Sequence, residues 1–551
     1  MERRVLLAIS LMIVVAVLPS LFLKPAPRRP RGAAAPAESL TVQPARPALE
    51  RAAPPVIRPT GTPGQPGVAI AGDTVSIVTP RSRYRFSTIG GAIEGAELTR
   101  FRAFAAGDTG RVRLVRPGDR MLVHRLVLDE DTVRLDSVPF TVAARGEGGV
   151  ALTGAAEPLR IALQYAFVAG NDYLLDVTGT IGGLEGRGAL LLVSLGNGFA
   201  NTDADSADNY RHYGISVRRT NPEVVNFRSV DPGQTRAVEG PFDWVAVKSK
   251  YFIGVLLSAD STRPQLGGAL VTGAPRTGRT ATHAGTWVTM PVGPDGRFRY
   301  QFYLGPQEYR ALHPMGRLTD RASPYGWIFR PIVMPVATWI TQFFIWMHEN
   351  LKLGYGLVLV VFGVLVRLAL WPLNQKAMKS QVAMMAVQPI LKDIQTRYKD
   401  DPARLQQEML KVYKEHKVNP FGGCLPMLLP MPVLLALFFV FANTIELRGV
   451  PFLWLPDLSL RDPFFIIPVV MGASMWALTK LGQAGMPPNP QMKMMITVMP
   501  IMMTVLFVNF ASGLNLYYTV SNLVSLPQQW MINKARQAEM TRRQIPQAGK
   551  S

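Results

Sequence analysis

Two different patterns of apolar residues divide the chain. Between residues 68 and 312, short runs that alternate apolar and polar positions, such as Thr74–Val78, are separated by Gly, Asp and Pro turns. This spacing is typical of an all-β sandwich. From residue 351 onward, the apolar runs lengthen to about the 20 residues that cross a bilayer as a helix. The pattern predicts a multi-pass α-helical membrane protein joined to an all-β sandwich domain.

Six membrane spans are predicted. The first lies within residues 1–23, where a basic start precedes a long apolar run, and it is interpreted as a signal anchor in preference to a cleaved signal peptide. The other five form a helical core over residues 351–533. They are predicted at residues 355–373, 425–445, 463–480, 494–511 and 513–532.

Four further segments connect or follow these elements. Residues 24–67 are rich in Pro, Ala and Arg and predict an extended linker. Residues 325–350 carry tryptophans and two prolines, which favours an amphipathic helix in the membrane interface over an additional span. Residues 374–420 predict a hairpin of two short helices, with Asp401 as a cap and Pro402 at the first helical position of the second. Residues 534–551 form a basic tail.

The distribution of charge predicts the topology. The chain has 59 Lys+Arg against 38 Asp+Glu, and the predicted hairpin alone has nine basic and five acidic residues. Because basic loops stay in the cytoplasm, the hairpin and the tail are placed there, and with six spans both termini lie on that side. The β domain then lies outside. The positive balance suits anionic lipids, whereas the absence of a recognition motif argues against DNA as a partner.

Little in the sequence favours enzymatic chemistry. Cys424 is the only cysteine, and the six histidines are scattered, so neither a disulfide framework nor a metal site is expected. No phosphate-binding loop is present either. We therefore expect no cofactor, no metal and no use of ATP.

Arg367 interrupts the apolar segment 355–373. A charge inside a membrane span costs a few kcal/mol or more, so it marks a functional hypothesis. No acidic residue within the later spans offers a salt bridge, which predicts a hydrophilic recess that brings water to the guanidinium. The alternative is that the long side chain extends to the headgroups near Lys376.

The last predicted span carries polar residues on one helical face. Asn515, Tyr518, Asn522 and Gln529 lie close to one line, with Thr519 and Ser525 beside them. Such residues face a bundle interior or a watery cavity. The alternative is ordinary hydrogen bonding between helices, without a transport role.

The predicted hairpin presents basic outer faces and is interpreted as a docking platform for a cytosolic partner; a solvated connector is the alternative. The residues assigned to docking are Lys392, Arg397, Lys399, Arg404, Lys411 and Lys414.

Several strings together resemble a known family. They are RLALWPLNQKAMKS from Arg367, KVNPFGGCLPMLLP from Lys417, SGLNLYYTVSNLVSLPQQW from Ser512 and STIGGAIEGAEL from Ser87. They are similar to the YidC membrane protein insertases of the YidC/Oxa/Alb family, in the Gram-negative type with a large periplasmic domain. The resemblance covers nearly the whole chain.

The resemblance implies an inner-membrane insertase and chaperone, which acts alone or with the Sec translocon through a groove open to the cytoplasm and to lipid. Nascent membrane proteins would be substrates, and the ribosome or the signal recognition particle receptor would be further partners. Arg367 matches the groove arginine, and Tyr518 matches a substrate-contacting aromatic position. The groove residues expected on this basis are Arg367, Asn515, Tyr517, Tyr518 and Asn522.

Two positions depart from the family pattern. Gly363 stands where a threonine is common, and Pro430 stands where glutamine is usual. Two rival functions fit the sequence less well than insertion. A small-solute carrier would show inverted repeats, and none is evident in the sequence. An anchored sugar-binding ectodomain would leave Arg367 unexplained.

Overall fold

The computed structural model describes residues 73–544, apart from 130, 147, 185, 261–263, 277, 324–329, 400, 417–430 and 484–489. The chain forms two units, Met1–Ser323 and Pro324–Ser551. The predicted anchor at 1–23, the linker at 24–67, Pro430 and Cys424 lie outside the described residues.

The described part of the first unit is built from antiparallel strands in three sheets. The strands are β1 Thr74–Val78, β2 Ser82–Ser87, β3 Ile93–Arg102, β4 Arg111–Arg113, β5 His124–Leu128, β6 Asp131–Arg134, β7 Phe140–Gly146, β8 Gly149–Ala156, β9 Leu159–Phe167, β10 Leu174–Gly182, β11 Ala189–Ser194, β12 Gly214–Arg218, β13 Pro222–Asn226, β14 Thr235–Phe242, β15 Trp244–Lys248, β16 Phe252–Ser258, β17 Leu266–Gly273, β18 Ala284–Pro291 and β19 Arg297–Pro306. Two short helices accompany them, α1 Ser206–Arg211 and α2 Tyr309–Leu312.

The strand order shows which strands are neighbours in each of the three sheets. A nine-stranded sheet has the order β13-β12-β15-β16-β19-β10-β9-β8-β7, and a six-stranded sheet has the order β14-β17-β18-β11-β5-β6. A third sheet contains β1 to β4 in sequence order. Consecutive strands are often neighbours, because short turns connect antiparallel strands at low entropic cost.

The core lies between the nine-stranded and six-stranded sheets. Strand β9 alternates buried and outward positions, as a strand with one wet face should. Tyr300 of β19 is fully buried, and its hydroxyl lies 2.8 Å from Nε2 of His124 on β5, so this hydrogen bond joins the two sheets. The predicted all-β sandwich is confirmed.

The second unit is helical. Its described helices are α3 Arg330–Asn350, α4 Tyr355–Arg397, α5 Pro402–Glu415, α6 Met431–Asn443, α7 Ile466–Gly482, α8 Pro490–Phe507 and α9 Ser512–Gln544. Within the described ranges, one stretch is long and apolar enough to cross a membrane, Tyr355–Pro372. Three shorter apolar helices cover Val433–Asn443, Ile466–Gly482 and Ile496–Phe507.

The hairpin differs from its prediction in one respect. Its first helix is not separate: α4 runs for 43 residues without a break, from Tyr355 past Pro389 to Arg397. Helix α5 then packs against the end of α4, and this contact buries Val387, Leu391 and Val412. The apolar burial supports the helical conformation of the far end of α4 beyond the apolar segment.

The start of α5 is confirmed in detail. The side chain of Asp401 accepts a hydrogen bond of 3.1 Å from the backbone N–H of Arg404, and Pro402 occupies the first turn. The cap accepts a hydrogen bond from one of the backbone N–H groups that have no partner within the first turn of a helix. Proline is tolerated in that turn because the N–H that it lacks would have no partner within the helix.

A buried carboxylate organises the loop before α7. Asp462 is fully buried and accepts hydrogen bonds from the backbone N–H groups of Phe464 at 3.0 Å and Ile467 at 2.7 Å, and from Nε1 of Trp454 at 3.3 Å. Donors at a helix start stabilise an anion that could not be buried alone. The same loop accepts the Ser512 backbone N–H at the carbonyl of Leu460, so it also fixes the start of α9.

The buried His124 predicts acid sensitivity of the sandwich. Burial lowers the pKa of His124 to about 4, so the folded domain resists the protonation that the unfolded chain undergoes near the ordinary value of about 6.5. The contribution of the neutral His124 to the stability of the folded domain is therefore complete above the unfolded pKa of about 6.5. This contribution is lost as the pH falls from that value towards the folded pKa of about 4. By about pH 5, the loss should be ~2 kcal/mol.

Hydrogen exchange of peptides covering β5 and β19 in the full chain, corrected for intrinsic rates, would measure this loss. The variant His124→Asn should lose much less protection between about pH 7 and pH 5 than the parent chain. His313→Asn, which replaces an exposed histidine, should behave like the parent. Equal acid sensitivity of the parent and His124→Asn would contradict the assignment.

Candidate functional site

Arg367 lies in α4, within the stretch Tyr355–Pro372, and is half-buried. Its Nε donates a hydrogen bond to the hydroxyl oxygen of Ser525 on α9. That hydroxyl donates in turn to the backbone carbonyl of Ser521. Within the described part of the chain, the ionisable group close to the guanidinium is the neutral phenol of Tyr517, and no carboxylate lies there. A neutral hydroxyl thus orients the guanidinium without cancelling its charge.

Tyr517 completes the contact between α4 and α9 near the arginine. It is buried, and its ring lies 5.9 Å from that of Phe362. Gly363 adjoins the same contact: a Cβ there would lie 3.1 Å from Cγ1 of Val520 and 3.6 Å from the Tyr517 ring. A larger residue at this position would press on the Val520 side chain, so Gly363 marks a close contact between the two helices.

Asn515 and Tyr518 turn towards α8 rather than towards Arg367. The amide of Asn515 is fully buried and donates a hydrogen bond of 3.0 Å to the carbonyl of Phe507. The ring of Tyr518 packs edge-on against the Phe507 ring, with centroids 5.2 Å apart. These contacts fit the alternative of bonding between helices, at least for Asn515.

Asn522 bonds to a third helix. Its Nδ2 donates a hydrogen bond of 3.2 Å to the hydroxyl of the buried Ser474 on α7. Two residues before Ser474 along the chain, Gly472 lies where any Cβ would collide with Oγ1 of Thr504 on α8. Ser474 is absent from the site residues predicted from the sequence. Its signal is the run of small residues from Gly472 to Ser474 in a largely bulky apolar helix.

The structure therefore brings Arg367 and Tyr517 together and distributes the other three groove candidates along α9, with different neighbours. The polar side of α9 is wider than one line of residues, because it contacts α4, α7 and α8 at once. Ser525, which the sequence placed only beside this line, is the direct partner of Arg367.

The six basic residues assigned to docking are all exposed on α4, on α5 or between them. They surround the small core of Val387, Leu391 and Val412. The guanidinium of Arg404 lies 5.3 Å from the centre of the Tyr398 ring, a cation–π contact across the turn.

The β domain has its own buried ionic cluster. The Lys250 ammonium lies 2.9 Å from the Asp208 carboxylate. Burial would raise the pKa of Asp208, but the ammonium more than offsets this and leaves it at about 2. The Nδ1–H of His212, the residue that ends α1, donates a hydrogen bond of 2.9 Å to the backbone carbonyl of Asp208 within the same helix. Among the residues described, no group of three His, Cys, Asp or Glu side chains could hold a metal ion.

Two family models match the chain. The model described as the YidC periplasmic domain matches residues 74–347, and the model described as the 60Kd inner membrane protein matches residues 346–539. The first match covers the sandwich and most of α3, and the second begins near the end of that helix.

Curated relatives named membrane protein insertase YidC are similar to this chain in sequence. The protein of Chlorobaculum parvum is 30% identical over 488 residues, which cover 84% of this chain and 77% of that protein. The protein of Chlorobium phaeovibrioides is 33% identical over 395 residues, or 66% of this chain. The chain spans 62% of the length of that second relative.

A crystal structure described as an active YidC insertase with its first transmembrane domain resolved is also similar. It is 18% identical, covers 84% of this chain and 93% of its own, and has a TM-score of 0.35. At that score the likeness adds no argument of its own, and the assignment depends on the sequence matches. On the strength of those matches, the chain belongs to the YidC family of membrane protein insertases.

Proposed function

We propose that this chain inserts membrane proteins, as the name of its relatives states for them, and that it does so in the bacterial inner membrane and assists their folding there. The observation that carries the proposal is the environment of Arg367. The one described stretch long enough to span a membrane contains a cation whose described partner is a neutral hydroxyl. A positive charge that is oriented but not neutralised can attract an acidic polypeptide.

We place five spans in the core, at residues 355–373, 425–445, 463–480, 494–511 and 513–532, and a sixth within residues 1–23. Helix α7, with 17 residues, is shorter than the ~20 residues of a full bilayer crossing. Short helices are compatible with a locally thinned bilayer, which would ease the passage of a polar segment. Both termini are cytoplasmic in this arrangement, and the β domain is periplasmic.

The groove would lie beside the contact of α4 with α9, open to the cytoplasm and to lipid. Arg367 and Tyr517 would meet the substrate directly, and Tyr518 would add an aromatic surface. Asn515 and Asn522 would hold α8 and α7 against the polar side of α9. The loop organised by Asp462 would close the periplasmic end, because its buried polar groups are bonded within the loop and to α7.

The apolar part of the substrate supplies the driving force. Transfer of a hydrophobic segment to lipid removes apolar surface from water, at ~25 cal/mol per Å2, which suffices without ATP. A recess that already contains polar side chains lowers the cost of carrying the polar tail across.

The exposed basic hairpin would dock a cytosolic partner, either the ribosome or the signal recognition particle receptor. Its charges are available, because the apolar core of the hairpin orients them outward. Cooperation with the Sec translocon on larger substrates, and attraction of anionic lipids by the basic cytoplasmic surface, complete the proposed partners.

Reconstitution tests the proposal most directly. Purified full-length protein in liposomes free of Sec components should protect the translocated tail of a small one-span substrate from added protease, and liposomes without the protein should not. Absence of protection by protein shown to be folded and correctly oriented would contradict autonomous insertion.

Substitution of Arg367 tests the role of its charge. Arg367→Ala should lower insertion of substrates with acidic tails by about tenfold, the value of one hydrogen bond to a charged group, and should affect neutral tails less. Arg367→Lys keeps the charge and should retain most activity. Lys352→Ala removes a cation just before α4 and serves as the control. Equal losses for acidic and neutral tails would reject charge attraction.

Ser525 should act by positioning Arg367. We expect Ser525→Ala to destabilise the chain by ~1.5–3 kcal/mol, because a buried charged donor loses its acceptor. Ser525→Thr should restore the stability. Thr519→Ala is the matched control, since that hydroxyl donates only to the carbonyl of Asn515 on its own helix. Unfolding of the detergent-solubilised chain measures the difference, and similar values for Ser525→Ala and Thr519→Ala would refute this role.

A further inference from the structure

Four large apolar side chains project from the loop between α6 and α7. The exposed fraction is 73% for Leu453, 39% for Trp454, 66% for Phe464 and 42% for Phe465. The first two belong to a tight turn at residues 452–455, and the other two directly precede α7. We name these four residues the apolar tip. Large apolar side chains that are exposed together mark a contact surface.

Asp462 joins the two parts of the apolar tip. Its buried carboxylate accepts hydrogen bonds from Nε1 of Trp454 in the turn and from the backbone N–H of Phe464 before α7. Two backbone hydrogen bonds of 2.9 Å between Phe452 and Leu455 close the turn itself. Because one carboxylate bonds to both parts, the members of the apolar tip form a single fixed surface.

The backbone at the apolar tip has an unusual conformation. Leu453 has a φ of 54° and Phe465 has a φ of 57°, in the left-handed region that favours glycine. Bulky residues remain in this conformation only where the surrounding structure imposes it. The fold therefore keeps these side chains exposed at a cost in conformational free energy.

The apolar tip adjoins the first turn of α4. The ring of Phe452 lies against Gly356, where any Cβ would overlap it. Gly356 is the second residue of Tyr355–Pro372, the described stretch long enough to cross a membrane. At the same turn, His348 near the end of α3 stacks on Tyr355, with ring centroids 4.3 Å apart. A membrane crossed by this stretch therefore has one interface at the level of the apolar tip.

The charges of the loop favour lipid as the occupant of this surface. Between Arg448 and Arg461 the sequence has one charged residue, Asp457, and its side chain is buried. Arg461 is exposed. An exposed arginine beside exposed aromatic rings suits the membrane interface, where the cation reaches the headgroups and the rings lie below them.

We propose that the apolar tip is immersed in the outer leaflet of the membrane, among the acyl chains just below the phospholipid headgroups, and fixes the depth of α4. The inference rests on the proposed function, because it requires Tyr355–Pro372 to span the membrane with its start on the periplasmic side. Arg367 follows Gly356 by 11 residues, or about 16 Å along the helix. The apolar tip thereby holds the guanidinium near the middle of a hydrocarbon core about 30 Å thick.

Photo-crosslinking of the full-length protein in liposomes of phosphatidylethanolamine and phosphatidylglycerol, without substrate, tests the proposal. The photoreactive residue p-benzoylphenylalanine replaces Phe464 in one variant and Leu453 in another. Both side chains are largely exposed, so the probe displaces few packed neighbours. Irradiation should add the mass of one phospholipid to each variant. Since interfacial elements lie about 5–10 Å into the boundary between headgroups and chains, the new bond should be on an acyl chain near its ester end.

Leu365 and Val142 are the matched control positions, because the side chain of each is 43% exposed. The probe at Leu365, within the spanning stretch of α4, should give lipid adducts, and the probe at Val142 on β7 should give none. Lipid adducts at Leu365 but not at the apolar tip would overturn the proposal and leave the membrane arrangement intact. Crosslinks from the apolar tip to polypeptide in place of lipid would do the same. Absence of lipid adducts at Leu365 as well would refute the membrane arrangement, and this inference with it.

Discussion

A guanidinium inside an apolar helix must be solvated by something, and much of the helical unit follows from that requirement. Arg367 obtains one hydrogen bond from Ser525, so α9 must approach α4 closely and present a small polar side chain at that level. The approach leaves little room at Gly363. It also brings Tyr517 against Phe362 beside the charge. The remaining hydrogen-bonding capacity of the guanidinium is what a hydrated recess or a substrate would satisfy.

The polar residues of α9 show how a helix can carry a polar face and still pack against several neighbouring helices. Asn515 bonds to the end of α8, Asn522 bonds to Ser474 of α7, and Ser525 bonds to Arg367 of α4. The two asparagine bonds are modest, about 0.6 kcal/mol each on average between helices in membranes, and the bond to the charged Arg367 is stronger. Their greater effect is on geometry, because each bond fixes the rotation of α9 against a different helix. A helix held in this way can border a recess without collapsing into it.

The sequence was most informative where one physical rule dominates. The alternation of apolar and polar residues over residues 68–312 predicted the sandwich, because a strand with one face in solvent places every second side chain in the core. Asp401 and Pro402 predicted the start of α5 for the same kind of local reason. The sequence was less informative where the structure depends on contacts between residues that are far apart in the chain. The unbroken α4 depends on burial of Val387 and Leu391 against Val412, and the partner of Arg367 depends on a residue far along the chain. Neither is visible in a local pattern.

The continuity of α4 has a mechanical consequence. Arg367 and Lys392 lie on one uninterrupted helix, 25 residues apart, which at 1.5 Å per residue is about 37 Å. A helix of that length behaves as a stiff lever and not as a flexible tether. Because the contact of α4 with α9 lies at Arg367, a force on the basic hairpin would be carried along the helix to that contact. The docking of a partner, as proposed above, would therefore act on the same contact that positions the charge.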